Sequence, residues 1–304
     1  MKKIGLLINP HAKKARRQPE LIQKLQRIFP NQTNTWIPQN LEELSQVAKT
    51  ILDQDVEIIF LFGGDGTLRA TIQALLQHWS PKPLPSFVLL QGGTGNLYSK
   101  HYTGWRSPLQ QMKHVLDEIT RDEYHTTSVN ILQVNDSYGF IFAVGGFSRI
   151  IQYYMGHKER SITLANWIIF KAMISFSLRT LFYRTMFSEV SINLKHGDES
   201  EDMKITTLSC STLPVGYILW PFYGIELNRC FAGLIFARSP FRLFFHLFDL
   251  IRKKRIVTRN VQQFTANTIE LLFSDPLQPM IDGDMLESTT KITVKLGPQI
   301  NFIT

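Results

Sequence analysis

Cysteine is nearly missing from these 304 residues: Cys210 and Cys230 are the only two. Two thiols cannot form a disulfide framework, and they lack the spacing of a metal site, so a reducing cytosol is the simplest compartment. Long apolar runs are missing as well. None approaches the roughly 18–20 residues of a membrane span, so the chain is not expected to cross a bilayer. The apolar run Ile4–Ile8 that follows Met1-Lys2-Lys3 is too short for a signal-peptide core. No fixed-period repeat or low-complexity tract interrupts the chain. No module interleaves basic residues with aromatics, so no nucleic-acid partner is expected. Acidic residues are the minority charge, 25 against 33 Lys and Arg, leaving a net +8. That surplus favours an anionic partner, a membrane surface or a phosphorylated substrate. A hydrophobic content of 44% and a charged content of 19% exclude a mainly disordered chain.

What is present is organised around EIIFLFGGDGTLRAT, Glu57–Thr71. An apolar run over 58–62 stops at Gly63-Gly64-Asp65-Gly66-Thr67, and a helical spacing takes over from Leu68 to Leu76. A buried strand ending in a glycine turn that opens a helix brings backbone N–H groups close to an anion, with no Cβ in the way. Asp65 adds one carboxylate, suited to a metal ion or a proton. The spacing predicts a nucleotide-phosphate site.

The preceding chain alternates strands and helices. Ile4–Ile8 reads as a strand closed by Asn9-Pro10, followed by the basic stretch His11–Arg17, read as a loop that is either solvated or phosphate-facing. Apolar spacing predicts helices over 19–29 and, capped by Asn40, over 41–52, with a weak strand over 35–37 between them. A fourth strand, Ser86–Leu90, ends in a second glycine turn, Gly92-Gly93-Thr94-Gly95-Asn96. This order predicts a parallel sheet covered on both faces, with both turns at its carboxyl edge, where ligands of open α/β folds bind. Thr94 and Asn96 can hydrogen-bond a phosphate or ribose. The alternative is that both turns are tight connections only.

Beyond a helix over 108–119 the pattern changes. Val129–Val134 and Tyr138–Val144 read as strands joined at Asn135-Asp136-Ser137, and further strands are expected over 190–194, 206–211, 216–219, 233–236, 268–273 and 291–296. The second half is therefore expected to be mostly antiparallel, with the boundary between 1–124 and 125–304. Residues 166–187, rich in aromatics, suit a core or pocket wall. Phe241–Arg255 places phenylalanines at helical spacing before Arg252-Lys253-Lys254-Arg255. Such a helix either lies on an anionic bilayer or packs on the body of the protein.

Asn9-Pro10, Gly63-Gly64-Asp65-Gly66-Thr67, Gly93-Thr94-Gly95-Asn96 and Ile281-Asp282-Gly283-Asp284, in that order, resemble the diacylglycerol kinase catalytic-domain family. That family includes bacterial lipid kinases and the sphingosine and ceramide kinases. The resemblance implies a doubly wound nucleotide-binding α/β domain, a C-terminal β-sandwich, and ATP-dependent phosphorylation of a lipid hydroxyl. It implies that Gly63, Gly64, Asp65, Gly66 and Thr67 meet the ATP phosphates and that Asp65 meets their Mg ion. Gly93, Thr94 and Asn96 would complete the nucleotide pocket, with Asn9 nearby. Asp284 would serve as base for the lipid hydroxyl, in place of a Glu in similar enzymes. The enzyme would work in the cytoplasm at a membrane surface. The chain departs from the family pattern at Ala70, at Leu97, at Ser148, and at Ala232-Gly233, which stands where bacterial members hold a structural metal. Two alternatives stay open: a homologue that binds lipid or nucleotide without turnover, and a soluble NAD kinase-like enzyme sharing only the GGDGT turn.

Overall fold

In the computed structural model, the residues described are 2–30, 32–79, 83–93, 95–102, 104, 106–157, 163–164, 167–168, 171, 186–213, 230–237 and 261–304. The expected strand over 216–219, the helix of 241–255 and most of 166–187 lie outside them. The chain forms two units: Met1–Val129 with Gln299–Thr304, and Asn130–Pro298.

The first unit is built on β1 (Ile4–Ile8), β2 (Thr35–Trp36), β3 (Ile58–Gly63) and β4 (Ser86–Gln91), which pair in parallel in the order β2-β1-β3-β4. β3 is buried along its whole length. Ile58, Phe60 and Phe62 join the core beneath α2 (Glu20–Ile28) and α6 (Pro108–Arg121), while Ile59 and Leu61 are buried on the opposite face. Phe29 meets Phe60 edge to face, with centroids 5.8 Å apart. Helices α3 (Leu41–Asp53) and α4 (Asp65–Gln77) pack on each other. Asn40 caps α3 as expected, its Oδ1 accepting from Glu43 N at 2.9 Å. A box of Ser107 and Gln110, with Pro108 at the first position, starts α6. A short helix, α1 (Lys13–Arg17), occupies the basic segment read as a loop, and another, α5 (Leu97–Tyr102), follows the second glycine turn, where no element was expected.

The second unit is antiparallel, as the turn spacing predicted. β5 (Thr126–Val134), which begins in the first unit, is followed by β6 (Ser137–Gly139) and β7 (Ile141–Gly145). The glycines ending β7 start a helix the sequence pattern did not reveal, α7 (Gly146–Met155). Then come β8 (Val190–His196), β9 (Glu199–Ser211), β10 (Phe231–Ala237), β11 (Val261–Ala266) and β12 (Thr268–Leu277). A small hairpin, β13 (Met280–Ile281) and β14 (Asp284–Met285), precedes the long β15 (Thr289–Ile303). Val134, Phe142, Leu208, Cys210, Ile269 and Ile292 share one apolar core. The last residues of β15 return to the first unit, where Phe302 aligns in parallel with Phe87 and its ring tilts against that of Phe87.

The β13–β14 turn is Asp282-Gly283, with φ of +50° and +94°. Both residues are left-handed, the geometry of a two-residue hairpin loop. The Asp282 carboxylate accepts from Phe140 N at 3.0 Å and Ile141 N at 2.9 Å, satisfying the backbone at the break between β6 and β7. Gly139 makes room for it: a Cβ there would stand 2.6 Å from Asp282 Oδ2. Replacing Asp282 by Ala should therefore cost about 2–4 kcal/mol of stability in denaturant titration, since charge-assisted bonds are lost and partly buried N–H groups are left unpaired. An unchanged unfolding midpoint would exclude the tether.

Candidate nucleotide site

The strand order reverses direction between β1 and β3, and a crevice forms at the carboxyl ends of strands at such a point. Three chain turns leave the sheet there. Asn9 N donates to Phe62 O at 2.9 Å, Gly92 N to Gly63 O at 2.7 Å, and Lys14 N to Gly92 O at 2.9 Å. The ends of β1, β3 and β4 are thus tied together by backbone bonds before any side chain is considered.

Side chains then fix the first glycine turn. Thr67 Oγ1 accepts from Asn9 Nδ2 at 2.8 Å and from Gly64 N at 3.3 Å, while Thr67 N donates to Gly64 O at 3.0 Å. The folded-back threonine needs Gly63, because a Cβ there would lie 2.5 Å from Thr67 Cβ and Oγ1. Asn9 is committed at both ends of its amide, its Oδ1 accepting from His11 N at 2.8 Å.

The second turn is fixed by Asn96, which is buried and left-handed at φ +50°. Its Oδ1 accepts from Gly93 N at 2.8 Å and its Nδ2 donates to Gly93 O at 2.9 Å, so it shapes the turn from within. Gly64 and Gly93 face each other across the gap: a Cβ on Gly93 would stand 2.6 Å from Gly64 Cα. Thr94 lies outside the described residues.

Asp65 opens α4 at the junction of the two turns. Its Oδ1 accepts from Tyr98 N, in the first turn of α5, at 3.2 Å. Its Oδ2 would stand 3.0 Å from a Cβ on Gly95. The Tyr98 N–H and the close approach of Gly95 thus help to set the carboxylate. The cavity beneath the turns measures only about 10 Å³, too small for a ligand. The outer side is different: Gly66 and Gly95 are exposed, and nothing lies within 4 Å of a Cβ built on Gly66. In the first turn of α4 Thr67 N is taken by Gly64 O, while the N–H groups before it have no carbonyl of the same helix to bond. An anion approaching there would meet those groups and the positive end of the helix dipole. Nearby, burial and then the charge of Lys100 hold the Lys14 ammonium below its ordinary range, an electrostatic state that an added anion would relieve.

These residues fit a triphosphate carrying its own divalent ion. One carboxylate beside a glycine cradle suits a metal that takes its other ligands from phosphate and water. Among the described residues no group of three or more His, Cys, Asp or Glu could hold a metal alone. The other metal position suggested by the resemblance does not fit: Ala232 is fully buried and donates no ligand, and the Phe264 ring covers Gly233. Sequence reasoning missed Tyr98, and it did not foresee that Gly92 and Lys14 serve through backbone bonds, which leave no residue-type signal.

In the second unit, the structure separates the two acids of the Asp-Gly-Asp stretch. Asp282 is the turn's tether. Asp284 stands on β14, opposite Ile281, half-buried. Ser148, at the third position of Gly146-Phe147-Ser148, is buried and donates to Gly145 O at 2.9 Å.

Residues 3–146 match the family described as the diacylglycerol kinase catalytic domain. A Streptococcus pneumoniae protein named "Putative lipid kinase" is 21% identical over 289 residues, covering 93% of this chain and 92% of that one. A "Diacylglycerol kinase" of Staphylococcus carnosus is 27% identical over 163 residues, 53% of this chain and 50% of that one. A crystal structure from Bacillus anthracis, titled as a diacylglycerol kinase, aligns over 99% of this chain and 96% of its own with a TM-score of 0.66 at 13% identity, a likeness of fold. The likeness to the diacylglycerol kinase catalytic domain thus lies in residues 3–146, while the likeness of fold runs over nearly the whole chain.

Proposed function

We propose that the protein is an ATP-dependent lipid kinase that transfers the γ-phosphate to the hydroxyl of a lipid of the diacylglycerol or sphingoid type. The observation that carries this reading is the back-to-back pair of glycine turns with Asp65 held at their junction. The relatives named as lipid kinases support it. The soluble NAD kinase-like alternative gains nothing from them.

Bound Mg-ATP would supply the phosphoryl group, with the metal offsetting charge on the β- and γ-phosphates. The chain's part is positioning and electrostatics. Gly64, Gly66 and Gly93, with the first turn of α4, hold the phosphates at the exposed edge. Asp65 holds the metal that comes with them. Asn9, Thr67 and Asn96 keep the two turns in shape rather than spending their side chains on the nucleotide. Asp284 accepts the proton of the lipid hydroxyl as it attacks, the one group-specific step such a transfer needs. The lipid is met at a membrane surface. Among the described residues no helix is long and apolar enough to cross a membrane, and Phe241–Arg255, the proposed contact with anionic lipid, lies outside them.

A second reading, a relative that binds without turnover, is favoured by one observation: Ser148 and Ala232 are buried and neutral at departures from the family pattern. Radiolabelled ATP with diacylglycerol, sphingoid base, ceramide and phosphatidylglycerol separates the two, because lipid labelling above background ends the second reading.

Asp65→Asn should lower lipid phosphorylation by about 10²–10³-fold, the scale of one lost preorganised electrostatic contact. Labelling at the wild-type rate would refute the assignment. Asp284→Ala should lower turnover by about 10²–10⁴-fold while ADP binding, followed by titration calorimetry, stays at the wild-type level. Gly93→Ala drives a methyl against the Gly64 backbone. It should raise the KM for ATP and cost about 1–3 kcal/mol of stability, and a wild-type KM would show that the turns need not abut.

A further inference from the structure

Helix α5 has six residues, Leu97–Tyr102, and a helix this short is not stable by itself. Yet Asp65 Oδ1 accepts from the backbone N–H of Tyr98, in its first turn, at 3.2 Å. Where α5 sits therefore bears directly on where the carboxylate sits. Asn96 holds the start of the helix: Lys100 N and Ser99 Oγ donate to Asn96 O at 3.0 and 3.2 Å. The far end is held by rings.

Tyr102, the last residue of α5, lays its ring on that of Phe302, with centroids 4.5 Å apart and planes within 16° of parallel. The His101 ring meets Tyr102 edge-on at 4.6 Å. Phe302 is fully buried on β15, and its ring tilts against that of Phe87 on β4, with centroids 6.4 Å apart. Val88 and Ile303, the next residues along those strands, belong to the core that holds Phe29 and Phe60, so the stack lies on the opposite face of the sheet. β4 is the strand that ends in the second glycine turn, and it pairs with β3, which ends in the first. The side-chain amide of Gln91, at the end of β4, donates to Gly104 O at 2.6 Å and ties down the chain that leaves α5. Burial pushes the Tyr102 phenol above its ordinary range, so it stays neutral on its partner ring.

We infer that the Tyr102–Phe302 stack positions Asp65: Phe302 seats Tyr102, Tyr102 fixes the end of α5, and α5 presents the N–H that holds the carboxylate between the two glycine turns. Both are positioning residues, acting through Asp65 rather than on the nucleotide. The inference rests on the proposed role of Asp65 toward the metal that accompanies the nucleotide. A stack that served only as core packing would, when lost, lower stability and leave the contribution of the metal untouched.

The test uses the full chain with Mg-ADP, with ADP in EDTA, and without nucleotide. Titration calorimetry reads the gain in ADP affinity that Mg brings, and amide hydrogen exchange reads the protection of residues 96–102. Tyr102→Leu and Phe302→Leu each keep an apolar side chain and lose the stack. Each should cut the gain from Mg by about two- to tenfold, the worth of one aromatic pair, leave affinity for metal-free ADP unchanged, and speed exchange in 96–102. If Phe302→Leu does not fold, Tyr102→Leu, at a half-buried position, carries the test. Tyr102→Phe keeps the ring and should match the wild type. Phe29→Leu breaks the edge-to-face pair with Phe60 on the other face of the sheet, and should lower the melting temperature without moving either readout. An unchanged gain from Mg in the leucine variants, or an equal fall in Tyr102→Phe or Phe29→Leu, overturns the inference and leaves the kinase reading standing. No gain from Mg in the wild type overturns the metal role of Asp65 and the inference with it. A reduced gain in the leucine variants, with no label passing from ATP to any lipid, upholds the inference and overturns the kinase reading instead.

Discussion

The approach of Gly64 to Gly93 is the constraint on which the first unit's chemistry depends. Two backbones meet where any side chain would stand 3.0 Å or less from a main-chain atom of the other turn. Parallel strands set the meeting place, because β3 and β4 run side by side and both end at the same edge. The hydrogen bond from Gly92 N to Gly63 O then locks the two exits together. Everything else at the edge follows from that lock. Asp65 is aimed by a turn of α5 that begins only because the second glycine turn has been folded by Asn96. A phosphate site made this way would be preorganised by covalent geometry and backbone bonds, and few of its residues would need to touch a ligand through side chains.

The same reasoning separates residues that a motif lumps together. Asn9, Thr67 and Asn96 look like ligand-binding side chains when read as letters, since each can donate to a phosphate. In the fold each already braces a turn: Asn9 bonds Thr67 and His11, Thr67 accepts from Asn9 and Gly64, and Asn96 bonds both ends of Gly93. Asp282 and Asp284, two residues apart, divide likewise. The first is consumed by the backbone of Phe140 and Ile141, and the second stands on a strand with its neighbour Met285 paired to Met280.

Much of this was legible in the sequence, for a physical reason. Strands buried on both faces are continuous apolar runs, so β1, β3 and β4 declared themselves, and the glycine turns declared the edge. Helices with an apolar face and a cap, such as α3 after Asn40, were equally visible. The five- and six-residue helices α1 and α5 were not, because a single turn shows no periodicity. Nor was the return of residues 299–304 to the first unit, which depends on long-range pairing of Phe302 with Phe87. The Asp282 tether and the burial of Ser209 on β9 were invisible for the same reason. Each is defined by what lies opposite it across a sheet.

Neutrality links the departures in the second unit. Where the family pattern offers carboxylates, Ser148 turns its hydroxyl onto Gly145 O and Ala232 packs without any polar atom. Viewed one at a time, these are lost acidic groups. Viewed on the sheet, Ala232 lies in register with Ser211, one step along the same face from Ser209. A carboxylate at position 232 would place a buried charge beside the Ser211 hydroxyl, and a charge buried there would require a cation to balance it.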